Sequence, residues 1–349
     1  MSAMRRSEIS VCKIVSRSFR EPEPLLLLQA TDDVRSFAER TALRWIQRYI
    51  RNFGGDPTKV TLIGLSSGAV SAGFHTVYND GENLFRALWA ESGAIQPRLD
   101  RRARAPGGAV TNTSAVNSLW SPRADGAVFL DLPQKLLTSG RAHNVPVVAG
   151  NAEDEGTLFS LNIPGLTSDA EFLQTLLSTG WFGNLSAPQG PQLLDLYSND
   201  PALGAPYGTG DDFQYEQMHK RFASVVGDAT IDAVRRLFSR EMSKKNHVWS
   251  YLYRRHKVAG FGSTHGSEIP EMYQTVGSQL QDLFIHFANT LDPNGTPGVA
   301  QAWPKYSEKA PVLLDFSGNS TLRLTDDTYR GKQIDFLVDL SQQYPWPLQ

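Results

Sequence analysis

The chain has 349 residues, of which 40% are hydrophobic, so it contains enough apolar material for one large buried core. Its formal net charge is −2, which excludes the basic excess of a protein that binds nucleic acid or an anionic membrane surface. The single cysteine, Cys12, cannot form an internal disulfide, and the leucine run at residues 25–28 is too short to cross a bilayer.

The first recognisable element is an amphipathic helix that precedes a sharp turn. Apolar side chains recur there at helical spacing and form one stripe, namely Ala42, Trp45, Ile46, Tyr49, Ile50 and Phe53. Gly54, Gly55 and Pro57 follow the stripe, and this combination ends a helix and forces a turn. We therefore expect the next element to reverse the direction of the chain.

The next element is an apolar strand at residues 59–63 that is followed by Gly-Leu-Ser-Ser-Gly at residues 64–68. A Gly-x-Ser-x-Gly sequence in this position is typical of a nucleophile elbow, the sharp strand-to-helix turn that exposes a serine hydroxyl. Small residues at 68–73 favour a helix that lies close to the sheet. An isolated pentapeptide of this kind also fits a plain glycine-rich turn, but the surrounding order of elements favours the elbow, with Ser66 as the nucleophile.

A nucleophilic serine needs an imidazole to take its proton and a carboxylate to hold that imidazole. Three acids, Glu153, Asp154 and Glu155, follow the strand predicted at residues 145–149, and the residues alone leave the choice among them open. His265 lies between small residues in a loop, which suits a mobile base. The order serine, acid, histidine along the chain is that of α/β-hydrolases.

The other six histidines have alternative interpretations. We expect His75 and His286 to pack on helices, because apolar residues surround them. The remaining four lie beside polar or basic residues and are predicted at the surface, namely His143, His219, His247 and His256.

Residues 42–75 resemble the type-B carboxylesterase/lipase family, which includes cholinesterases, animal carboxylesterases and fungal lipases. Residues 150–157 resemble its acid loop, residues 262–270 its histidine loop, and residues 287–306 its C-terminal block. The resemblance implies the α/β-hydrolase fold, a mostly parallel central sheet flanked by helices, in a single domain at residues 40–349.

The resemblance also implies the roles of individual residues. The glutamate directly before Gly-Thr matches the acid of the family, so Glu155 is preferred to its two neighbours. The catalytic triad is then Ser66, Glu155 and His265. Glu268 is interpreted either as a residue that orients the histidine loop or as an acid at a helix start. Leu65 stands where the family commonly has glutamate.

Three departures from the family pattern accompany these matches. Residues 1–39 form a non-family segment, and an Arg/Pro/Gly-rich stretch around residues 96–116 is predicted to be a flexible spacer. The backbone N–H of Ser67 is one expected oxyanion donor, but no glycine-rich oxyanion loop precedes Ser66. We therefore expect a shortened family member that lacks its N-terminal strands.

The expected function is hydrolysis of a small-molecule or lipid carboxylic ester through an acyl-enzyme. This chemistry needs no cofactor, and the sequence shows no metal-ligand cluster. A catalytically inactive binding protein and a truncated, non-functional fragment are the alternatives. The family implies an extracellular location, although the N-terminus has no apolar segment of signal-peptide length. No nucleic-acid partner and no integral membrane segment are expected, and the sequence leaves the oligomeric state open.

Overall fold

Among the residues that the structure describes, seven strands form one sheet and follow one another across it in chain order. In this computed structural model, the described residues are 11–13, 34–78, 81–97, 124, 126–161, 163, 165–179, 182, 185–186, 188–274, 277–318 and 320–345. The strands are β1 (Val11–Lys13), β2 (Thr61–Leu65), β3 (Ala87–Glu91), β4 (Val147–Ala152), β5 (Val248–Tyr253), β6 (Val312–Ser317) and β7 (Thr321–Asp326). Neighbours from β1 to β6 are parallel, and β7 is antiparallel to β6. The predicted mostly parallel sheet is confirmed.

Helices connect the strands, as parallel strands require. The α-helices of the described residues are α1 (Val34–Tyr49), α2 (Ser67–His75), α3 (Pro133–Thr138), α4 (Asp169–Ser178), α5 (Gln189–Leu196), α6 (His219–Gly227), α7 (Ala233–Ser243), α8 (Gln279–Thr290) and α9 (Gly331–Gln343). A π-helical turn at Asp228–Asp232 joins α6 to α7.

Strands β2 to β6 are buried on both faces, which explains why they are mostly apolar runs rather than alternating patterns. Successive side chains of a strand point to opposite faces, so Leu62 and Leu88 belong to one core, whereas Ile63 and Trp89 belong to the other. Helix α8 contributes Phe287 to the second core, together with other apolar side chains. The parallel sheet therefore has protein on each side.

The turn between α1 and β2 has the structure that its residues predict. Helix α1 ends at Tyr49 and continues as a short 3₁₀ turn, which Gly54 closes in the left-handed conformation with φ 80°. The Asp56 side chain then accepts the N–H of Thr58 at 2.9 Å and caps the next 3₁₀ turn. The predicted helix end before β2 is confirmed.

The segment at residues 1–39 contributes β1 and the first turns of α1 to the sheet domain. Strand β1 pairs in parallel with β2, and it is the one strand before β2 among the described residues. The predicted spacer at 96–116 lies outside the described residues except at its first two positions. Within the described part of the chain, no helix is long and apolar enough to span a membrane, and no cluster of His, Cys, Asp and Glu could hold a metal ion.

Candidate active site

Ser66 lies on the turn between the end of β2 and the start of α2. Its backbone has φ 55° and ψ −124°, a conformation that is strained for a residue with a side chain, and its N–H donates to the carbonyl of Glu91 at 2.9 Å. The Ser66 side chain is partly exposed, and among the described residues its hydroxyl makes no hydrogen bond. The hydroxyl is therefore available at the edge of the sheet.

Two glycines make this turn possible. A Cβ atom on Gly64 would lie 2.3 Å from the carbonyl carbon of Gly68, and one on Gly93 would lie 2.7 Å from the carbonyl oxygen of Ser66. Both contacts involve backbone atoms, which cannot move aside without moving the turn. The Gly-x-Ser-x-Gly spacing thus reflects a close crossing of the chain before and after Ser66.

The structure separates the three candidate acids that follow β4. Glu153 forms ion pairs with Arg254 and Lys257 at 2.9 and 2.8 Å. Asp154 accepts hydrogen bonds from backbone N–H groups. Glu155 is buried, and its Oε2 lies 2.6 Å from Nδ1 of His265.

His265, the partner of Glu155, lies in the loop after β5. Burial lowers the pKa of His265, but the charge and hydrogen bond of Glu155, together with the charge of Glu268, outweigh it and raise that pKa above the usual 6.5. The Phe159 ring lies beside the imidazole, with 5.0 Å between the ring centroids. Glu155 therefore holds the Nδ1 side of the imidazole.

The strand register brings these residues to one edge of the sheet. Leu65 at the end of β2 pairs with Glu91 at the end of β3, and Glu91 pairs with Gly150 of β4. Because parallel strands end at the same edge, Ser66 and the loops that carry Glu155 and His265 all lie at the carboxyl ends of the strands. The structure thus places all three predicted triad residues at this edge and joins two of them directly.

Ser92 occupies the corresponding position after β3 and connects two buried carboxyl groups. Its Oγ lies 2.6 Å from Oε1 of Glu155 and 2.8 Å from Oε1 of Glu268. A hydroxyl has one proton to donate, so both contacts are satisfied when Glu268 carries a proton and donates it to Ser92, which donates to Glu155. Burial, followed by the charge of Glu155, raises the pKa of Glu268 to about 7, so this arrangement is accessible near neutral pH.

A third buried carboxyl group lies beside this pair. Glu91 accepts hydrogen bonds from Trp89 Nε1 at 3.2 Å and from the Tyr273 hydroxyl at 3.0 Å. Burial, followed by the charge of Glu268, raises the pKa of Glu91 well above its usual range. Sequence reasoning assigned no role to Glu91 or Ser92. The available signal was their position, with Glu91 as the last residue of an apolar strand and Ser92 directly after it, next to Gly93.

One histidine prediction was wrong. His219 is only 4% exposed, and its Nε2 lies 3.0 Å from the Ser160 hydroxyl, because α6 begins against the turn that follows Glu155. His247 and His256 are exposed as predicted, and His143 is partly exposed. His75 is buried beside Glu39, as its apolar surroundings indicated.

Ser67 is the exposed first residue of α2. The N–H groups of a helix's first turn have no partner within the helix, and the Ser67 N–H is one of these groups. A mostly parallel sheet, flanking helices and a serine on the turn after β2 define the α/β-hydrolase fold.

The chain belongs to the carboxylesterase family, because the model of that family matches residues 39–105 and 99–337. It is 29% identical over 400 residues to Secreted lipase 1 of Botryotinia fuckeliana, across 93% of this chain and 68% of that lipase. It is also 29% identical over 344 residues to Lipase 2 of Diutina rugosa, across 84% of this chain and 61% of the relative. Acetylcholinesterase of Bungarus fasciatus is 26% identical over 80% of this chain and 55% of that enzyme.

A solved structure of PNB esterase has the same fold, with a TM-score of 0.66 at 20% identity. The match covers 86% of this chain and 68% of the esterase. The chain thus spans between 55% and 68% of the length of these four proteins.

Proposed function

We propose that the chain hydrolyses carboxylic esters through a covalent acyl-serine intermediate, with Ser66 as nucleophile. The observation that carries the proposal is the 2.6 Å contact between Glu155 and His265 at the sheet edge that also carries Ser66. A buried carboxylate that holds one nitrogen of an imidazole, with a serine on a strained turn nearby, is the arrangement that activates a hydroxyl.

The reaction proceeds in two halves. His265 Nε2 takes the Ser66 proton while Oγ bonds to the ester carbonyl carbon, and Glu155 stabilises the resulting imidazolium without accepting the proton. The tetrahedral intermediate collapses when the alkoxide leaves with the proton from His265. Water then attacks the acyl-serine, with His265 as base, and the acid product and free Ser66 are released.

The developing negative oxygen requires hydrogen-bond donors, and the Ser67 N–H supplies one in this proposal. Loss of a single oxyanion donor costs about 10²–10³ in rate.

The proposed substrates are small-molecule or lipid esters, since the relatives are named as lipases and as an acetylcholinesterase. The name of the relative Secreted lipase 1 supports an extracellular location for this chain as well. The chemistry uses only side chains and one backbone N–H.

Labelling with a fluorophosphonate probe tests the nucleophile, because the probe traps a serine that is activated for attack. The purified chain, Ser66→Ala and Ser67→Ala are treated together, and the labelled peptide is identified by mass spectrometry. Ser67→Ala is the matched control, since it removes the neighbouring hydroxyl and keeps the backbone N–H. The expected label is on Ser66 in the parent chain and in Ser67→Ala. A soluble, folded chain that takes no label, or takes it elsewhere, would contradict the proposal.

A further inference from the structure

Asp154 joins the acid loop to the histidine loop through one carboxylate oxygen and to the segment at Tyr207 through the other. Oδ2 accepts the N–H of Ser263 at 2.8 Å, and Oδ1 accepts the N–H of Tyr207 at 2.7 Å. The Asp154 N–H donates in turn to the carbonyl of Ser263 at 2.9 Å. Asp154 is only 1% exposed, so these backbone groups have no solvent to replace a lost partner.

The surrounding residues are shaped around this carboxylate. Gly262 has φ 64°, and a Cβ atom on it would lie 2.1 Å from Asp154 Oδ2. Next to it, the Thr157 hydroxyl lies 2.8 Å from both the Phe261 carbonyl and the Thr264 hydroxyl. The two loops therefore meet along a continuous line of polar contacts, and Asp154 also pairs with Thr264 as an isolated β-bridge.

This line of contacts lies directly beside the Glu155–His265 hydrogen bond. Asp154 precedes Glu155 in the chain, and Ser263 precedes His265 by two residues. We call the hydrogen bonds from Asp154 to Ser263 and Tyr207 the Asp154 clamp. A displacement of one loop against the other changes the 2.6 Å contact between Glu155 Oε2 and His265 Nδ1, since few rotatable bonds separate the clamp from that contact.

We propose that Asp154 is a positioning residue that sets the distance between the acid and the base, by holding Ser263 and Tyr207 through their backbone N–H groups. The inference rests on the proposed ester hydrolysis. Asp154 does not touch the reacting atoms, and it acts through Glu155 and His265.

The charges around Asp154 are consistent with an ionised clamp at neutral pH. Burial raises the pKa of Asp154, and the N–H groups of Tyr207 and Ser263 lower it, with the result at about 6. The charge of Glu153 raises that pKa and the charge of Lys257 lowers it. Above pH 6 both oxygens are therefore free to accept the two N–H groups.

Asp154→Asn is the informative substitution because it preserves shape and removes one acceptor. The asparagine NH₂ group is a donor. It therefore replaces one of the two carboxylate oxygens that accept a backbone N–H, and two donors then face each other. The matched control is Glu153→Gln, which makes the same change of charge one residue earlier, at a side chain paired with Arg254 and Lys257.

In Asp154→Asn, kcat for a soluble ester is expected to fall about 10- to 100-fold, as for an angstrom-scale misplacement of a catalytic group, with KM nearly unchanged. The acid limb of the kcat/KM profile is expected to move to lower pH, because a looser Glu155 contact raises the pKa of His265 less. Glu153→Gln is expected to leave both kcat and the pH of this acid limb unchanged. Equal behaviour of the two variants would overturn the inference.

A second measurement separates this inference from the proposed function. The proton between His265 Nδ1 and Glu155 is expected to give a downfield proton NMR signal, which Glu155→Gln assigns by shifting or abolishing it. Asp154→Asn is expected to shift or broaden that signal, and Glu153→Gln to leave it in place. An unchanged signal in Asp154→Asn would refute the clamp even in a chain without esterase activity. If Asp154→Asn does not fold, Asp154→Ser replaces it, because a hydroxyl keeps one acceptor in less volume.

Discussion

Replacing Ser92 by alanine tests the buried connection between the acid of the site and its neighbour. The substitution removes the hydroxyl that contacts Glu155 at 2.6 Å and Glu268 at 2.8 Å, where all three side chains are buried. Glu155 Oε1 keeps the Ala152 N–H, but Glu268 loses the one side-chain hydrogen bond that it makes among the described residues. Both carboxyl groups remain shielded from water.

The expected cost follows from the strength of such contacts. A hydrogen bond to a charged group contributes about 1.5–3 kcal/mol, and a buried polar group without a partner costs about 1–3 kcal/mol. We expect Ser92→Ala to lower the free energy of unfolding by about 2–3 kcal/mol. For a chain of this length, with an unfolding entropy of about 2.1 cal/mol/K per residue, that loss lowers Tm by about 3–4 °C.

Calorimetry at pH 7 measures this shift directly. Ser267→Ala is the control, since Ser267 is buried in the same loop as Glu268 and its hydroxyl makes no hydrogen bond among the described residues. The reasoning is refuted if Ser92→Ala lowers Tm no more than Ser267→Ala does. A loss of activity without a loss of Tm would also contradict it, because the predicted effect is on buried polar groups.

Three further predictions address other parts of the molecule. The kcat/KM for ester hydrolysis is expected to rise with pH through a pKa above 6.5, because the raised pKa of His265 keeps the base protonated below it; a limb below pH 6.5 would contradict this. Gly64→Ala is expected to abolish fluorophosphonate labelling, whereas Gly331→Ala, with open space around its Cβ, keeps it. Asp327→Asn is expected to cost about 3–5 kcal/mol in denaturant unfolding, since it leaves two buried arginines without their shared carboxylate, and a loss below 1 kcal/mol would count against that role.

The pH dependence of that last ion cluster has a definite sign. Burial raises the pKa of Asp327, but the charges of Arg235 and Arg236, with hydrogen bonds from Arg235 and Tyr306, outweigh burial and lower that pKa below its usual 3.8. A carboxyl group with a lowered pKa in the folded state stabilises the fold above its unfolded pKa, and this contribution is lost as pH falls through the folded value. In Asp327→Asn, the loss of unfolding free energy that protonation of Asp327 causes below pH 4 is expected to disappear.

The sequence by itself determined the elements whose signals are local. The helix end at Gly54, the buried strand and the turn at Ser66 depend on neighbouring residues, because glycine spacing and apolar periodicity act over a few positions. The expectation of a mostly parallel sheet came from the family resemblance.

Only the tertiary structure decided which polar groups meet. Glu153, Asp154 and Glu155 are adjacent in the chain, yet one pairs with surface cations, one holds backbone N–H groups and one contacts His265. Ser92 is 176 residues from Glu268, so no local pattern could reveal their contact. The burial of His219 has the same origin. Such contacts depend on how the strand ends align, which is a property of the whole sheet.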